Sequence, residues 1–310
     1  MRVALAALLL TVLLVCPGVL PNTPGHLGSL VETALPWFGL GVPLLLAWAA
    51  VRRSRSRSLM GGAFALVPAV AWAVLFGPDL VSFHGPGPGR TDFQVLTLNV
   101  GGDRTAPRDV ARDILAADAD VVALEKVPTD TLKTYERELH GAYPYHATGN
   151  TLGLWSRYPL RGVERLDLGG AWPHAIRAVA RTPVGDTAVY AVRLPSVRVT
   201  FRDGFTVRRR DASAARLAER VARDRTRHVV VLGDLNGSLR DRGLAPLTRG
   251  LRPVGGGGSG HGQGFTWPAA FPVVRLDHVL VRGLAPTGAT VLPDLGSDHR
   301  PVLTGLRSVR

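Results

Sequence analysis

The sequence predicts an α/β domain of alternating strands and helices placed behind a group of membrane-spanning helices, and three observations carry that expectation. Charge is almost missing at the start: up to Val81 the charged side chains are Arg2, Glu32, Arg52, Arg53, Arg55, Arg57 and Asp79. Beyond residue 90, short apolar runs rich in β-branched residues alternate with stretches of helical period. Several of those runs end abruptly in a polar side chain. With 310 residues, 46% of them apolar, the chain has ample material for a large core.

Val3 to Leu20, Val31 to Val51 and Leu59 to Val81 each approach or exceed the roughly 20 apolar residues that cross a bilayer, so three spans are expected within residues 1–81 (3–20, 31–51 and 59–81). The first could also serve as a cleaved signal peptide, although no Ala-x-Ala-like site follows it. Arg52, Arg53, Arg55 and Arg57 crowd the second connection, whereas Pro21 to Leu30 carries no Lys or Arg. The Arg-rich loop is therefore expected to be cytoplasmic. Counting crossings puts the N-terminus inside and the rest of the chain outside, as a multi-pass protein of the cell membrane. Pro36, Pro43 and Pro68 are tolerated in spans, and no acidic residue lies deep in one, so an anchor is expected and not a transporter. Gly85-Pro86-Gly87-Pro88-Gly89 makes residues 82–91 a spacer, and one domain is expected over 92–310.

In that domain Phe93 to Val100 has strand composition. Pro107 to Ala117 reads as a helix with Pro in its first turn and Val110 and Ile114 one turn apart. Val121 to Glu125 is a short buried strand; Gly153 to Ser156 and Ala188 to Leu194 are further strands. Ala212 to Arg223 carries Ala215, Leu217, Ala218 and Val221 on a helical stripe. It leads into Val229-Val230-Val231-Leu232, a run that fits a strand buried on both faces and closes in Gly233-Asp234-Leu235-Asn236-Gly237. Gly255 to Gly264 is a glycine-rich loop, and Arg275 to Val281 is strand-like.

From Ser82 onward 32 of the 37 basic and 22 of the 24 acidic residues remain, a net charge of +10 that mildly favours anionic partners. Nearly all of the excess is Arg, with Lys126 and Lys133 the two lysines. The single cysteine, Cys16, excludes an intramolecular disulfide and a cysteine metal site. A lipoprotein reading of it is disfavoured by the bulky Val15.

The polar run-ends are Asn99, Glu125, Asp234 with Asn236, Asp277, and the final Gly296-Ser297-Asp298-His299-Arg300-Pro301. An acid after a strand is commonly a helix cap, and Gly-Asp-x-Asn is ordinary turn chemistry. Converging at one sheet edge, however, these oxygens would form the hard ligand set that Mg²⁺ prefers. A histidine beside them would serve proton transfer or charge stabilisation.

In order and spacing, Leu98-Asn99-Val100, Leu124-Glu125, Leu154-Trp155-Ser156-Arg157-Tyr158-Pro159, Gly233-Asp234-Leu235-Asn236, Arg275-Leu276-Asp277-His278 and Ser297-Asp298-His299-Arg300-Pro301 resemble the endonuclease/exonuclease/phosphatase superfamily. The likeness runs from about residue 92 to the end, and the whole chain is similar to actinobacterial membrane proteins that carry this domain after three spans. The resemblance implies a two-sheet α/β sandwich in four layers, αββα, of the DNase I-like type. It also implies a metal-dependent hydrolase of phosphate esters, with nucleic acid or a phospholipid headgroup as substrate and the bilayer as a partner. Glu125 would be the main ligand of Mg²⁺, or of Mn²⁺, with Asn99 beside it and Asp298 completing the set. Asp234 would position or deprotonate the attacking water, Asn236 would hold a phosphate oxygen, and His299, its imidazole fixed by Asp277, would meet the phosphoryl group. The division of proton transfer between Asp234 and His299 stays open.

One departure stands out: where many family members have a histidine, the strand Tyr190-Ala191-Val192-Arg193-Leu194-Pro195 offers Arg193. Arginine is no general acid, but it grips phosphate in a bidentate manner. The alternatives are a substrate-binding arginine, a catalytically impaired domain that binds anionic ligands or partners at the membrane, and a plain surface residue. Arg208-Arg209-Arg210 could track a nucleic-acid backbone, against a solvated helix start. His278 is expected to pack, His261 to face solvent, Trp172 and Trp267 to pack, and Arg157 to be structural.

Overall fold

The structure, a computed structural model, describes residues 2–23, 25–56, 60–81, 90–102, 106–170, 175–255 and 264–309. The Gly85–Gly89 spacer, Trp172 with Pro173, and His261 lie outside the described residues. Helices α1 (Arg2–Val15), α2 (Leu27–Ala34), α3 (Gly41–Ser56) and α4 (Met60–Val81) come first. The domain then runs β1 (Phe93–Asn99), α5 (Pro107–Ala116), β2 (Val121–Glu125), α6 (Leu132–Leu139), β3 (Tyr145–Gly149), β4 (Leu152–Ser156), β5 (Leu160–Leu166) and β6 (Ala175–Thr182). It continues with β7 (Gly185–Arg193), β8 (Val199–Thr200), β9 (Gly204–Phe205), α7 (Arg208–Arg223), β10 (His228–Asp234) and α8 (Ala245–Gly250). Last come β11 (Arg252–Val254), β12 (Asp277–Arg282), β13 (Leu284–Val291) and β14 (Val302–Ser308).

Two mixed six-stranded sheets pack face to face, in the orders β13-β14-β1-β2-β4-β3 and β11-β12-β10-β7-β6-β5. Each has one parallel pair near its middle, β1 with β2 and β10 with β7. The alternation of side chains along a strand sorts the apolar residues into layers. Phe93, Val95, Val121, Ala123, Val189, Ala191, Val230, Leu232 and Val279 meet between the sheets. Leu96, Leu98, Val122 and Leu124 face outward onto Val110, Ile114, Tyr135 and Leu139 of α5 and α6. Tyr190, Val192, Val229 and Val231 face α7 and α8 through Ala214, Leu217 and Leu247. Both faces of both sheets are covered, which gives the four-layer αββα sandwich.

The N-terminal part differs from the three spans expected. Among the described residues, one helical stretch, Leu27–Arg52, 26 residues long, is long and apolar enough to cross a membrane; Arg2–Val15 and Ala63–Gly77 are apolar but shorter. The first expected span stops at Val15 because Pro17 opens a short 3-10 turn, Pro17–Val19. The second is a composite: α2 passes through a 3-10 turn at Leu35–Leu40, with Pro36 in its first turn, before α3 begins.

This part is docked on the sandwich. Arg242 donates its backbone N–H and its guanidinium Nε to the buried Glu32 carboxylate at 2.8 and 2.9 Å. Trp37 Nε1 donates to Val273 O at 2.7 Å, the indole stacks on Phe265, and the guanidinium of Arg240 lies 4.4 Å from the ring centre of Phe76.

Candidate active site

The same alternation that layers the core collects the polar run-ends. Counting by twos from the central core leads from Val95 to Thr97 and Asn99, from Val121 and Ala123 to Glu125, and from Val189 and Ala191 to Arg193. It leads likewise from Val230 and Leu232 to Asp234, and backwards from Val281 and Val279 to Asp277. All face the space between the sheets, at one end of it. Register completes the match: Asn99 pairs with Glu125, and Asp234 lies between Arg193 and Asp277.

The acids of the second sheet are held by hydrogen bonds. Asp234 Oδ1 accepts from the backbone N–H of Asn236 at 2.9 Å, and Oδ2 accepts from Asn99 Nδ2 at 2.8 Å and Asn236 Nδ2 at 3.0 Å. Asn236 Nδ2 also donates to Leu194 O at 2.9 Å, so both N–H bonds of that amide are committed. In this arrangement Asn236 positions Asp234, and the expected contact with a phosphate oxygen would require one of those bonds to be given up. The turn that achieves this needs unusual backbone: Asn236 has φ of 50° and Gly233 of 144°, where a Cβ would stand 1.8 Å from Val192 O. Asp277 Oδ2 accepts from His299 Nδ1 at 2.8 Å, which assigns a proton to Nδ1 because a carboxylate only accepts. Nε2, 3.4 Å from Asn99 Nδ2, is the nitrogen left for the cleft.

The first sheet is less satisfied. Thr97 donates to Glu125 Oε1 at 2.8 Å, while Glu125 Oε2 is buried with no hydrogen-bond partner among the described residues. Asp298 is more open, with 42% of its side chain exposed and Lys126 Nζ 3.8 Å from Oδ2, and its Oδ1 has no partner either. The loop that carries it is fixed through Asp298 N–H to Gly101 O at 2.9 Å and through the Ser297 hydroxyl to Gly101 O at 2.7 Å.

Charge follows this geometry. Burial, then the neighbouring Asp277, raises Glu125 well above the usual carboxylate range. The same two causes lift Asp234 to about 6. Burial alone would lower His299, but the charge and hydrogen bond of Asp277 outweigh it and raise the imidazole to about 9. Asp234, Asp277 and His299 offer ligand atoms within 4.8 Å of one another. Both oxygens of Asp234 and Asp277 Oδ2 are committed to the two asparagines and His299, whereas Asp277 Oδ1, Glu125 Oε2 and Asp298 Oδ1 have no partner among the described residues. Orphaned oxygens of that kind are what a hard divalent cation satisfies, so the donor set fits one.

Two residues brace the turn from behind. Arg210, expected at a solvated helix start, is fully buried: α7 begins at Arg208, and Arg210 donates to Asp241 at 2.6 Å and to Asn236 O at 3.3 Å. His278 is packed as expected, its Nε2 2.9 Å from Gly237 O; burial pushes it down to about 3. Arg157 bridges Asp118 and Asp120 as a structural group. Arg193 is no plain surface residue, since it lines the cleft over the site with its Nε lacking a partner among the described residues. Trp267, expected to pack, is 38% exposed and lines the same cleft.

Thr97, Ser297, Lys126 and Arg210 were not read as site residues from sequence. Thr97 alone carried a signal, two residues before Asn99 on the same strand.

A profile described as the Endonuclease/Exonuclease/phosphatase family matches residues 96–299, spanning every one of these site positions. The chain belongs to the endonuclease/exonuclease/phosphatase family. Family membership makes it a phosphoesterase-type hydrolase. A search of curated proteins finds no match. Among solved structures, the fold is shared with beta toxin of Staphylococcus aureus at 13% identity and TM-score 0.55, covering 70% of this chain and 100% of that one. It is shared with an endonuclease/exonuclease/phosphatase of Beutenbergia cavernae at 19% and 0.54, covering 71% and 72%. Sphingomyelinase C of Streptomyces griseocarneus aligns at 19% and 0.53, covering 70% and 99%.

Proposed function

We propose that this member of the endonuclease/exonuclease/phosphatase family is a membrane-anchored, divalent-metal-dependent phosphodiesterase or phosphatase that works outside the cytoplasm on a nucleic-acid or phospholipid phosphate ester. The observation that carries the reading is the convergence of Asn99, Glu125, Asp234, Asp277 and His299 at one end of the sandwich. Glu125, Asn99 and Asp298 would hold Mg²⁺ or Mn²⁺, which when bound supplies Lewis-acid polarisation of a phosphoryl oxygen. Asp234, titrating near 6, suits a group that orients water and accepts its proton near neutrality. His299, cationic at neutral pH by virtue of Asp277, supports charge developing on the phosphoryl group. Arg193 supplies a guanidinium to the phosphate. Anchoring is supported by the helical stretch Leu27–Arg52, long and apolar enough to cross a bilayer, beside the shorter apolar helices Arg2–Val15 and Ala63–Gly77. The charge asymmetry of their loops gives the orientation.

Full-length protein in nanodiscs, assayed with MgCl₂ on bis(p-nitrophenyl) phosphate, DNA, RNA and phospholipids, is expected to release product from at least one, and Glu125→Ala is expected to stop it. No turnover on any substrate, or turnover indifferent to Glu125→Ala, would overturn the proposal. Ligand binding with no turnover would favour the impaired binding domain that Arg193 first suggested.

A further inference from the structure

The cleft over the site encloses about 730 Å³ and its two ends differ in chemistry. Arg193, Asp234 and His299 stand at one end. Part of the opposite wall belongs to the N-terminal segment, which contributes Leu30, Thr33, Ala34 and Trp37. That wall is fixed in place: Trp37 is pinned by its bond to Val273 O and its stack on Phe265, Glu32 by Arg242, and Gly25 O by the backbone N–H of Phe205. It also belongs to Leu27–Arg52, the one stretch among the described residues long and apolar enough to cross a bilayer.

The mouth of the cleft is apolar as well. Val199 and Trp267 line it, and on the same two loops Phe201 and Phe271 stand fully and 72% exposed. Contiguous exposed apolar groups mark a membrane or partner surface, and tryptophan beside an apolar helix is characteristic of the membrane interface. A polyanion such as nucleic acid calls for cations spaced along its path; the cleft's cations, Lys126, Arg193 and Arg198, all come from the sandwich, and the N-terminal wall adds none.

We infer that the cleft opens at the bilayer surface and takes the phosphate ester of a long-chain membrane lipid. The phosphate lies at the Arg193 end, and the first methylenes of the chains lie along Leu30, Ala34 and Trp37. The inference rests on the phosphoesterase reading of the same site and names its substrate class. In the reaction the oxygen of water bonds to phosphorus, the bond from phosphorus to the departing alcohol oxygen breaks, and a proton from the water ends on that oxygen.

The test uses full-length protein in nanodiscs with dioleoyl phosphatidylcholine, dioleoyl phosphatidylglycerol and sphingomyelin, each beside its deacylated counterpart, with bis(p-nitrophenyl) phosphate and oligonucleotides as soluble esters. At least one long-chain ester is expected to be hydrolysed with kcat/KM a hundredfold or more above its deacylated form. Trp37→Ala is expected to lower that value about tenfold, about 1.4 kcal/mol, while changing bis(p-nitrophenyl) phosphate turnover less than threefold. Trp37→Phe should restore most of it. Leu30→Asn, which leaves the bond from Trp37 to Val273 intact, should reproduce the selective loss if Trp37→Ala disturbs docking. Oligonucleotides or deacylated esters outcompeting bilayer lipids, or wall variants that slow every substrate equally, would overturn this inference alone. Failure to hydrolyse even bis(p-nitrophenyl) phosphate would overturn it together with the phosphoesterase reading.

Discussion

The two sheets bring different halves of a site to the same end of the sandwich. The second sheet delivers Asp234 with both oxygens engaged, by Asn99 and by Asn236, and Asp277 with Oδ2 engaged by His299 and Oδ1 without a partner among the described residues. The first delivers Glu125 with one oxygen bonded to Thr97 and the other to nothing among the described residues. Asp234 is positioned by the protein alone; the free oxygens of Glu125, Asp277 and Asp298 need something added. The largest expected effect tests that contrast at Glu125. Its pKa is raised by burial, so the carboxylate costs stability as pH rises above its unfolded value near 4.3. Glu125→Gln should therefore cut turnover roughly 10³-fold yet raise metal-free stability at pH 7, since it removes a buried carboxylate that burial disfavours. Thermal melts in EDTA and in MgCl₂ check it: Mg²⁺ should stabilise the wild type and not the variant. A lower melting temperature for the variant in EDTA would break the contrast.

The preorganised half carries its own acid sensitivity through His278, which holds Gly237 O from the outer face. Unfolded, a histidine titrates near 6.5; here it titrates at about 3. Between those values the unfolded chain binds a proton that the folded chain refuses, so the contribution is complete above about 6.5 and is lost as pH falls toward 3. The loss reaches on the order of 5 kcal/mol. Urea midpoints measured from pH 7 to pH 4 should fall in the wild type and fall less in His278→Gln, whose amide still donates to the carbonyl. Equal slopes would show that His278 is not the group responsible.

What could be read from the sequence divides along similar lines. Strands buried on both faces, such as β2 and β10, were legible because an unbroken apolar run has few other uses, and the end of each run marked the site. Edge strands were not: β13 contains Pro286 and Gly288, residues that interrupt a strand pattern, and they sit at a bulge on a sheet edge. Period two explains why Asn99, Glu125, Asp234 and Asp277 all face the space between the sheets once the strands are paired and the sheets packed. Besides the adjacent Asp211, the partners of Arg210 are 26 and 31 residues away, and the docking of Trp37 onto Val273 crosses 236 residues. No local pattern encodes such pairings, so an internal arginine looked solvated and an apolar helix looked like a simple anchor.

Arg210 is the next test of how strongly the second half is braced. Replacing it leaves Asp241, wholly buried, with its charge unpaired, a change that costs about 3 kcal/mol. Arg210→Met should lower the urea midpoint accordingly. In the folded fraction kcat should fall more than KM rises, because Asn236 loses the donor that holds its carbonyl. Loss of stability with unchanged kcat would make Arg210 a fold residue only.

The smallest effect is expected at the far end of the first sheet, where Arg157 follows β4. Its guanidinium bridges Asp118 at 2.5 Å and Asp120 at 3.4 Å, the first of these shorter than most contacts of the site. Geometry alone would rank it with Arg210. The surroundings reverse that ranking: the Asp118 side chain is 75% exposed, so water replaces the arginine at little cost, and exposed pairs contribute less than about 1 kcal/mol. Arg157→Ala should shift the urea midpoint by no more than that, shrink further in 0.5 M NaCl as screening removes what remains, and leave turnover unchanged. A shift as large as that of Arg210→Met would mean that burial is not what separates the braced end of the sandwich from its opposite end.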